Sequence, residues 1–300
     1  MTFNDKQLAM VNANSFSRYL KGVRELPLLY NFVGDGSGLT AAGSADASSG
    51  TIPTDIANLL SWLDASDPTT LFTDSGLTTP VTSDGDPVGG WVKSGGQFQA
   101  GQSTGSRRPQ YKTNVINGLS VVRFDGSDDF MGMGAFGKPA SFTIICVVVR
   151  STLAGRRYAF GSASGGTGGF NNWGWLFSDS SNDPANPRFA ISIGGTTNSQ
   201  WQTDDAHFVS DVPILITQRY ATGNTIGDCK VDGVAAPVTS SQTAANTNSG
   251  SPAVFSLGRK GSHDTRFWLG DIAEFMVYDA ALSDGDIADL EATLITKWAI

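Results

Sequence analysis

The sequence predicts an all-β chain of many short strands joined by tight turns. Three observations carry that expectation. Gly is abundant, at 36 of 300 residues, and only 16% of residues are charged. Together with plentiful Ser, Thr, Asn and Asp, this composition suits turns rather than a helical bundle. Residues 120–131, Ser-Val-Val-Arg-Phe-Asp-Gly-Ser-Asp-Asp-Phe-Met, open in alternation. Val121, Arg123 and Asp125 point one way, and Val122 and Phe124 the other. Residues 142–149, Phe-Thr-Ile-Ile-Cys-Val-Val-Val, are nearly all apolar, as expected for a central strand buried on both faces.

The length allows one large β domain or two smaller ones. Net charge is −8 and the pI about 4.7. That balance argues against nucleic acid and anionic membranes, which reward Lys/Arg patches. The acidity comes from Asp, since Glu occurs only at Glu25, Glu274 and Glu291. Asp favours turns, caps and Ca²⁺ loops. Cys146 lies inside the apolar run and far in sequence from Cys229, so a buried free thiol is preferred over a disulfide. No run reaches transmembrane length, so no membrane insertion is expected. No positive segment followed by an apolar core opens the chain, so no signal peptide is expected.

Residues 4–21 read as an amphipathic helix, with Leu8, Val11, Phe16 and Leu20 at helical spacing. Asn4 and Gln7 resemble a capping box, and Gly22 stops the helix. Leu26–Val33 reads as a strand or extended docking segment. Residues 34–50 are a Gly/Ser/Ala linker with almost nothing to bury. Residues 1–50 are therefore expected to form an arm for anchoring or oligomerisation, preferred over an extension folded on its own domain. Residues 51–300 form the main domain.

That domain opens with the apolar strand Leu59, Leu60, Trp62, Leu63, closed by Asp64 and Asp67. A turn-rich stretch follows, then Trp91, then a polar connection from Gln102 to Asn117. Val121–Phe130 is expected to be a strand pair around an Asp-Gly turn. Further strands are expected from Arg156, around 170–177 and 188–193, at 212–220 and 228–231, and at 254–258. Residues 231–234, Val-Asp-Gly-Val, signal a hairpin. The closing strand runs Ile272–Tyr278. Ser283 should cap a last helix with Asp286 at its third position, and Ile287, Leu290, Leu294 and Trp298 form its apolar stripe.

Three segments in this order carry a resemblance: residues 60–67 (Leu-Ser-Trp-Leu-Asp-Ala-Ser-Asp), residues 120–131, and residues 270–284 (Gly-Asp-Ile-Ala-Glu-Phe-Met-Val-Tyr-Asp-Ala-Ala-Leu-Ser-Asp). The trio resembles the laminin-G-like branch of the concanavalin-A-like lectin/glucanase superfamily, of the kind found in bacteriophage structural proteins. The resemblance covers roughly residues 55 to 300. It implies a two-sheet antiparallel jelly-roll sandwich with the N-terminal arm before it and the C-terminal helix after it. Relatives carry Trp-x-Asp-x-Ser-Gly-x-Gly-Asn where this chain has Trp91-Val-Lys-Ser-Gly-Gly-Gln-Phe. The Asp and Asn of that pattern are missing, and no role is carried over from them.

Three chemistries bear on these residues. Glycoside hydrolysis needs two carboxyls flanking the scissile bond, and the glucanase branch presents them as Glu-x-Asp-x-Glu. That pattern is absent. Asp271 and Glu274 are an odd number apart, which sends them to opposite faces of a regular strand. His207 and His263 sit in no recognisable constellation. No enzymatic activity is expected. Calcium is the second. Asp64/Asp67, Asp84/Asp86, Asp125/Asp128/Asp129 and Asp179/Asn182/Asp183 are candidates, each also explained as a solvated turn. The trio Asp125, Asp128 and Asp129 stands out, because its turn would gather three carboxylates. Sugar binding is the third. It calls for an aromatic ring beside Asn, Asp or Gln. Trp173 with Asn172, and Trp201 with Gln200, have those ingredients. Trp173 and Trp175, two apart, are also explained as core residues.

The function expected is a non-enzymatic virion protein of a bacteriophage: a decoration, head-fibre or tail protein. Residues 1–50 would dock it to other capsid or tail proteins, as a homo-oligomer. The jelly roll would face cell-surface glycans. It would assemble in the host cytoplasm. The alternatives are a free-standing, extracellular bacterial lectin and, behind it, a carbohydrate-active enzyme.

Overall fold

The apolar run at residues 142–149 sits in the middle of a sheet. In a computed structural model, residues 50–136, 139–163, 175–179, 183–192, 198–203, 206–224, 227–240, 253–261 and 266–300 are described. Those residues all belong to one compact unit, Gly50–Ile300. The expected helix over 4–21, the extended segment over 26–33 and the linker up to residue 49 lie outside the described residues.

Nineteen strands and one long helix make up the unit among the described residues. In chain order they are β1 (Leu59–Asp64), β2 (Leu71–Phe72), β3 (Gly90–Trp91), β4 (Gly95–Gly96), β5 (Ala100–Gly101), β6 (Gln110–Ile116), β7 (Leu119–Asp125), β8 (Met131–Phe136), β9 (Phe142–Arg150) and β10 (Arg157–Ala163). There follow β11 (Trp175–Asp179), β12 (Asp183–Ser192), β13 (Asn198–Thr203), β14 (Pro213–Tyr220), β15 (Asp228–Val231), β16 (Val234–Ala235), β17 (Val238–Ser240), β18 (Ala253–Leu257), β19 (Leu269–Tyr278) and the helix α1 (Asp284–Trp298).

They form two antiparallel sheets. One has nine strands, in the order β16-β15-β14-β9-β19-β1-β4, with β7 also on β19 and β6 on β7. The other has ten, in the order β17-β13-β12-β11-β10-β18-β8-β5-β3-β2. This is the expected jelly-roll sandwich. β19 pairs with β9 along its whole length, while its other edge is shared: β7 takes residues 269–272 and β1 takes residues 274–278.

The period of two explains the layers. Ile144, Cys146 and Val148 of β9 enter the core between the sheets, with Val122, Phe124, Phe160, Phe255 and Phe275. Ile145, Val147 and Val149 enter a second core on the outer face of the nine-stranded sheet. Ile287, Leu290, Leu294 and Trp298 of α1 cover that face, as their spacing predicts. Ser283 caps α1 by accepting from the Asp286 N–H at 3.1 Å. Cys146 and Cys229 are both buried and free.

Three expectations are corrected. The connection expected over Gln102–Asn117 contains strand β6, which pairs with β7 through a two-residue hairpin, Ile116 opposite Leu119. Asn117 and Gly118 take φ of 49° and 75°, the left-handed pair that such a turn requires. The Val121–Phe130 strand pair does not form. β7 and β8 lie in different sheets, so residues 126–130 are an arch across the core. Phe124 and Met131, at the two feet of the arch, are both fully buried between the sheets. Burying both feet in that core fixes the crossing. Finally, β19 is not regular. A bulge shifts its register against β9 between Ile272 and Glu274. Ala273 packs in the outer core, and Glu274 meets residues of α1. The extra residue restores parity, so Asp271 and Glu274 share the outer face instead of opposing faces.

Candidate functional site

The arch from β7 to β8 forms one wall of a cleft of about 390 Å³ at an end of the sandwich. The cleft is lined by residues of several segments, among them Ser106, Gln110, Arg123, Asp129, Ser151 and Asp211. Leu269 and Gly270, at the start of β19, also line it. Only Gly fits at position 270: its φ is 143°, and a Cβ there would meet the Val149 carbonyl oxygen at 2.0 Å.

Arg123 is the fixed cation of the cleft. β7 pairs Arg123 with Asp271 of β19 in register. The Asp271 carboxylate, 1% exposed, accepts from Arg123 Nε at 2.7 Å and from Nη2 at 2.9 Å. A bidentate pair of this kind fixes the guanidinium plane. It also leaves Nη1 unengaged by any described residue, on a side chain that is 42% exposed. Arg108 is spent otherwise: its three nitrogens donate to the carbonyls of Gln102, Thr73 and Ser103, stapling the loop before β6.

The arch is held at both ends. Arg157 Nη1 donates to the Gly126 carbonyl at 2.7 Å. At the other end Phe130 lies under the guanidinium of Arg259, 3.3 Å from its ring centre, and Gln102 Nε2 donates to its carbonyl at 3.0 Å. Inside the arch Asp125 Oδ1 accepts from the Ser127 N–H at 2.8 Å, and Asp129 Oδ2 accepts from the Asp125 N–H at 3.0 Å. Asp129 is only 5% exposed. Burial, with Asp125 and Asp128 beside it, pushes its carboxyl up to about 7.

The expected gathering of Asp125, Asp128 and Asp129 does occur. One ligand oxygen from each lies within 4.8 Å of the others. Two oxygens on one Ca²⁺ stand at most twice the bond length apart, about 4.8 Å, so the spacing lies within the span that a shared ion allows. They would supply three of the six to eight oxygens that Ca²⁺ takes.

The sugar-binding candidates are not brought to this cleft's lining. Gln200 and Trp201 are consecutive residues of β13, opposite Ala190 and Phe189 of β12. Trp173 and Asn172 lie outside the described residues. Sequence reasoning missed Ser106, Gln110, Ser151 and Asp211 as site residues. No motif marks them, because only the topology brings their four segments together. Asp211 carried one local signal, a turn-forming Asp just before the strand at Pro213.

The fold, the arch and the rim cleft set the context for comparison with known proteins. A family model described as the concanavalin A-like lectin/glucanases superfamily matches residues 126–288. The chain belongs to this superfamily. Curated protein sequences give no match. Among solved structures, the sialidase of Trypanosoma rangeli in complex with 2,3-difluoro-KDN aligns with a TM-score of 0.52 and 13% identity, covering 81% of this chain and 33% of that one. A mutant of the same sialidase displaying trans-sialidase activity aligns at 0.51 and 13%, covering 83% and 34%. This superfamily member therefore spans about a third of the length of those sialidases, and the likeness is one of fold. The Ruminococcus gnavus IT-sialidase CBM40 bound to α2,3-sialyllactose aligns at 0.44 and 12%, covering 57% and 95%. That last likeness carries no argument about ligand.

Proposed function

We propose that this chain is a non-enzymatic display protein that presents a carbohydrate-binding jelly roll. In this reading the rim cleft contacts glycans, and residues 1–50 fasten the protein to a larger assembly. The assembly proposed is a bacteriophage virion, with the chain as a decoration, head-fibre or tail protein. Membership of a lectin/glucanase superfamily supports the glycan part. The virion part rests on the resemblance to domains of phage structural proteins.

One observation carries the display reading. Pro53 packs at one end of β19 and the cleft lies at the other. Tyr278, the last residue of β19, donates its hydroxyl to the Pro53 carbonyl at 3.0 Å. Leu269 and Gly270, its first two residues, line the cleft. Nine residue steps separate Leu269 from Tyr278, roughly 30 Å of strand. A domain fastened beyond Pro53 would hold the cleft away from its point of attachment. Many weak contacts from such domains on one particle would add by avidity.

The test is light scattering and glycan binding on the full chain and on residues 51–300. The reading expects an oligomeric full chain, a monomeric truncation and equal monovalent sugar affinity in both. An oligomeric truncation would remove the role of the arm. Saturable sugar binding by a full chain that is itself monomeric and joins no particle would favour the free-standing lectin. Turnover of a glycan that stops on replacing Asp125 or Asp129 would make the protein an enzyme instead.

A further inference from the structure

The cleft carries a charge pattern that the glycan reading has not used. Arg108 and Arg123 are the basic residues of its lining, and Asp125, Asp129 and Asp211 the acidic ones. They come from separate segments: the loop before β6, β7 with its arch, and the turn before β14. Asp211 is held in place by its backbone. Its N–H donates to the Arg150 carbonyl at 2.9 Å. Its φ of 62° closes the turn in which the Val212 N–H donates to the Val209 carbonyl.

Arg123 does not bring an unbalanced positive charge. The buried Asp271 carboxylate takes two of its five N–H groups, at 2.7 and 2.9 Å. Those hydrogen bonds, and then the charges of Asp271, Asp211 and Asp84, hold the guanidinium above its ordinary value. Three N–H groups remain for a ligand. With the ion already balanced by its partner, they act as donors in fixed positions. Arg108 does bring a charge, but its nitrogens donate to the carbonyls of Gln102, Thr73 and Ser103. With Asp271 counted beside Asp125, Asp129 and Asp211, four carboxylates stand against two guanidinium groups. Even with Asp129 protonated the balance stays negative.

We propose that the cleft is a charge filter: it takes neutral saccharide units, anchored by hydroxyl oxygens on Arg123, and rejects their carboxylated counterparts, the uronic acids. The proposal rests on the glycan reading of the cleft. Neighbouring hydroxyls of a neutral unit accept from Arg123 and donate to Asp211 or Asp125. A carboxylate in the same place accepts but has no proton to donate, and it meets Asp211 and Asp125 as like charges. One such charge at a protein surface is worth about tenfold in affinity.

The experiment is a ligand-observed NMR titration of the full chain with three pairs: glucose and glucuronate, galactose and galacturonate, mannose and mannuronate. EDTA is present, so that no divalent ion offsets the carboxylates. Salt is held at about 0.15 M, which screens charges farther away than about 8 Å. The titration is repeated with Asp271→Asn, with Asp211→Asn, and with Ser106→Trp, which blocks the cleft from an exposed position. Asp211 is exposed, and Asn accepts its left-handed backbone, so that variant leaves the core untouched. The neutral member of at least one pair should bind about ten times more tightly. Asp211→Asn or Asp271→Asn should narrow the gap by raising the affinity for the uronate. Equal affinities in every pair, a preference for the uronates, or a gap that neither Asn variant narrows overturns the filter while leaving the cleft a glycan site. No binding by any of the six, or binding that Ser106→Trp leaves intact, overturns the glycan reading and the filter with it.

Discussion

Lys297 Nζ lies 2.7 Å from Glu274 Oε2, joining the last turn of α1 to the bulge of β19. The same nitrogen is 2.7 Å from Asp64 Oδ2 at the end of β1. Trp62 Nε1 and Trp298 Nε1 also donate to Glu274, at 2.7 and 2.8 Å. Glu274 is 2% exposed. Burial pushes its carboxyl upward, and the nearby Asp64 adds to that, while Lys297 and Trp298 oppose it. The bulge makes this contact feasible, because a regular strand would not have turned Glu274 and Asp271 to the same face.

Replacing Lys297 by Met should therefore leave two carboxylates facing each other without their shared cation. A loss of about 3 kcal/mol is expected, the lower end of the cost of orphaning a buried ion. Lys297→Met/Glu274→Gln should recover part of it. Urea unfolding of the three proteins measures both. A single variant within 0.5 kcal/mol or so of the parent would mean that the latch contributes little.

Calcium should stabilise the arch. Three carboxylates, one exposed, one half-buried and one buried, fit an affinity of about 1 mM. At ten times that concentration the ion would add about 1.4 kcal/mol, a rise of roughly 2–4 °C in melting temperature. Asp128→Asn should remove most of the rise. An identical response from that variant would place the ion elsewhere.

Lys260 gives the stability a slope with pH. Burial, with Arg266 and Arg156 adding repulsion, lowers its ammonium to about 8. In the unfolded chain it returns to about 10.4. Between those values the unfolded state binds more protons, so this group adds stability as pH rises from 8 to 10.4 and carries its full penalty below 8. Thermal melts at pH 7.5 and 9.5 should show the parent gaining on Lys260→Met between the two. Comparing the two proteins cancels tyrosines and thiols that titrate in the same window. Parallel melting curves at both pH values would show that Lys260 is no more buried than an ordinary surface lysine.

Gly270→Ala should cost about 3 kcal/mol or more, since the new methyl would meet the Val149 oxygen in a backbone conformation that L-residues avoid. Gly134→Ala makes the control: its φ is also positive, at 82°, but nothing lies within 4 Å of an added Cβ. Equal losses in the two would assign the whole cost to backbone conformation.

The strongest periodic signals in the sequence were reliable because burial set them. The run at 142–149 had no polar alternative, and the stripe Ile287, Leu290, Leu294, Trp298 could face only one way. The Val-Asp-Gly-Val hairpin at 231–234 formed because its turn residues accept positive φ. The same chemistry at Asn117-Gly118 was overlooked, because β6 alternates Gln, Lys and Asn with few apolar residues and reads as a connection. The arch at 126–130 resembled a hairpin, since an Asp-Gly pair does not reveal whether the next strand joins the same sheet. The bulge at Ala273 left no mark in the sequence, and it reversed a parity inference. For the site, the three carboxylates were legible because they are neighbours in the chain. The cleft around them was not, because its other walls come from residues 106, 151 and 211.

The placement of the cleft and Pro53 at opposite ends of β19 has a mechanical consequence. Tension between a bound surface and an anchor beyond Pro53 would enter through β1, the strand that follows Pro53, and pass to β19 across the ladder they share. The ladder bonds of β19 to β9, β1 and β7 lie across the strands. They would be loaded together, in shear, rather than peeled one by one as at the tip of a hairpin. A domain gripped in this way would resist pulling through a ten-residue strand, one of the two longest among the described residues, without the sandwich opening first.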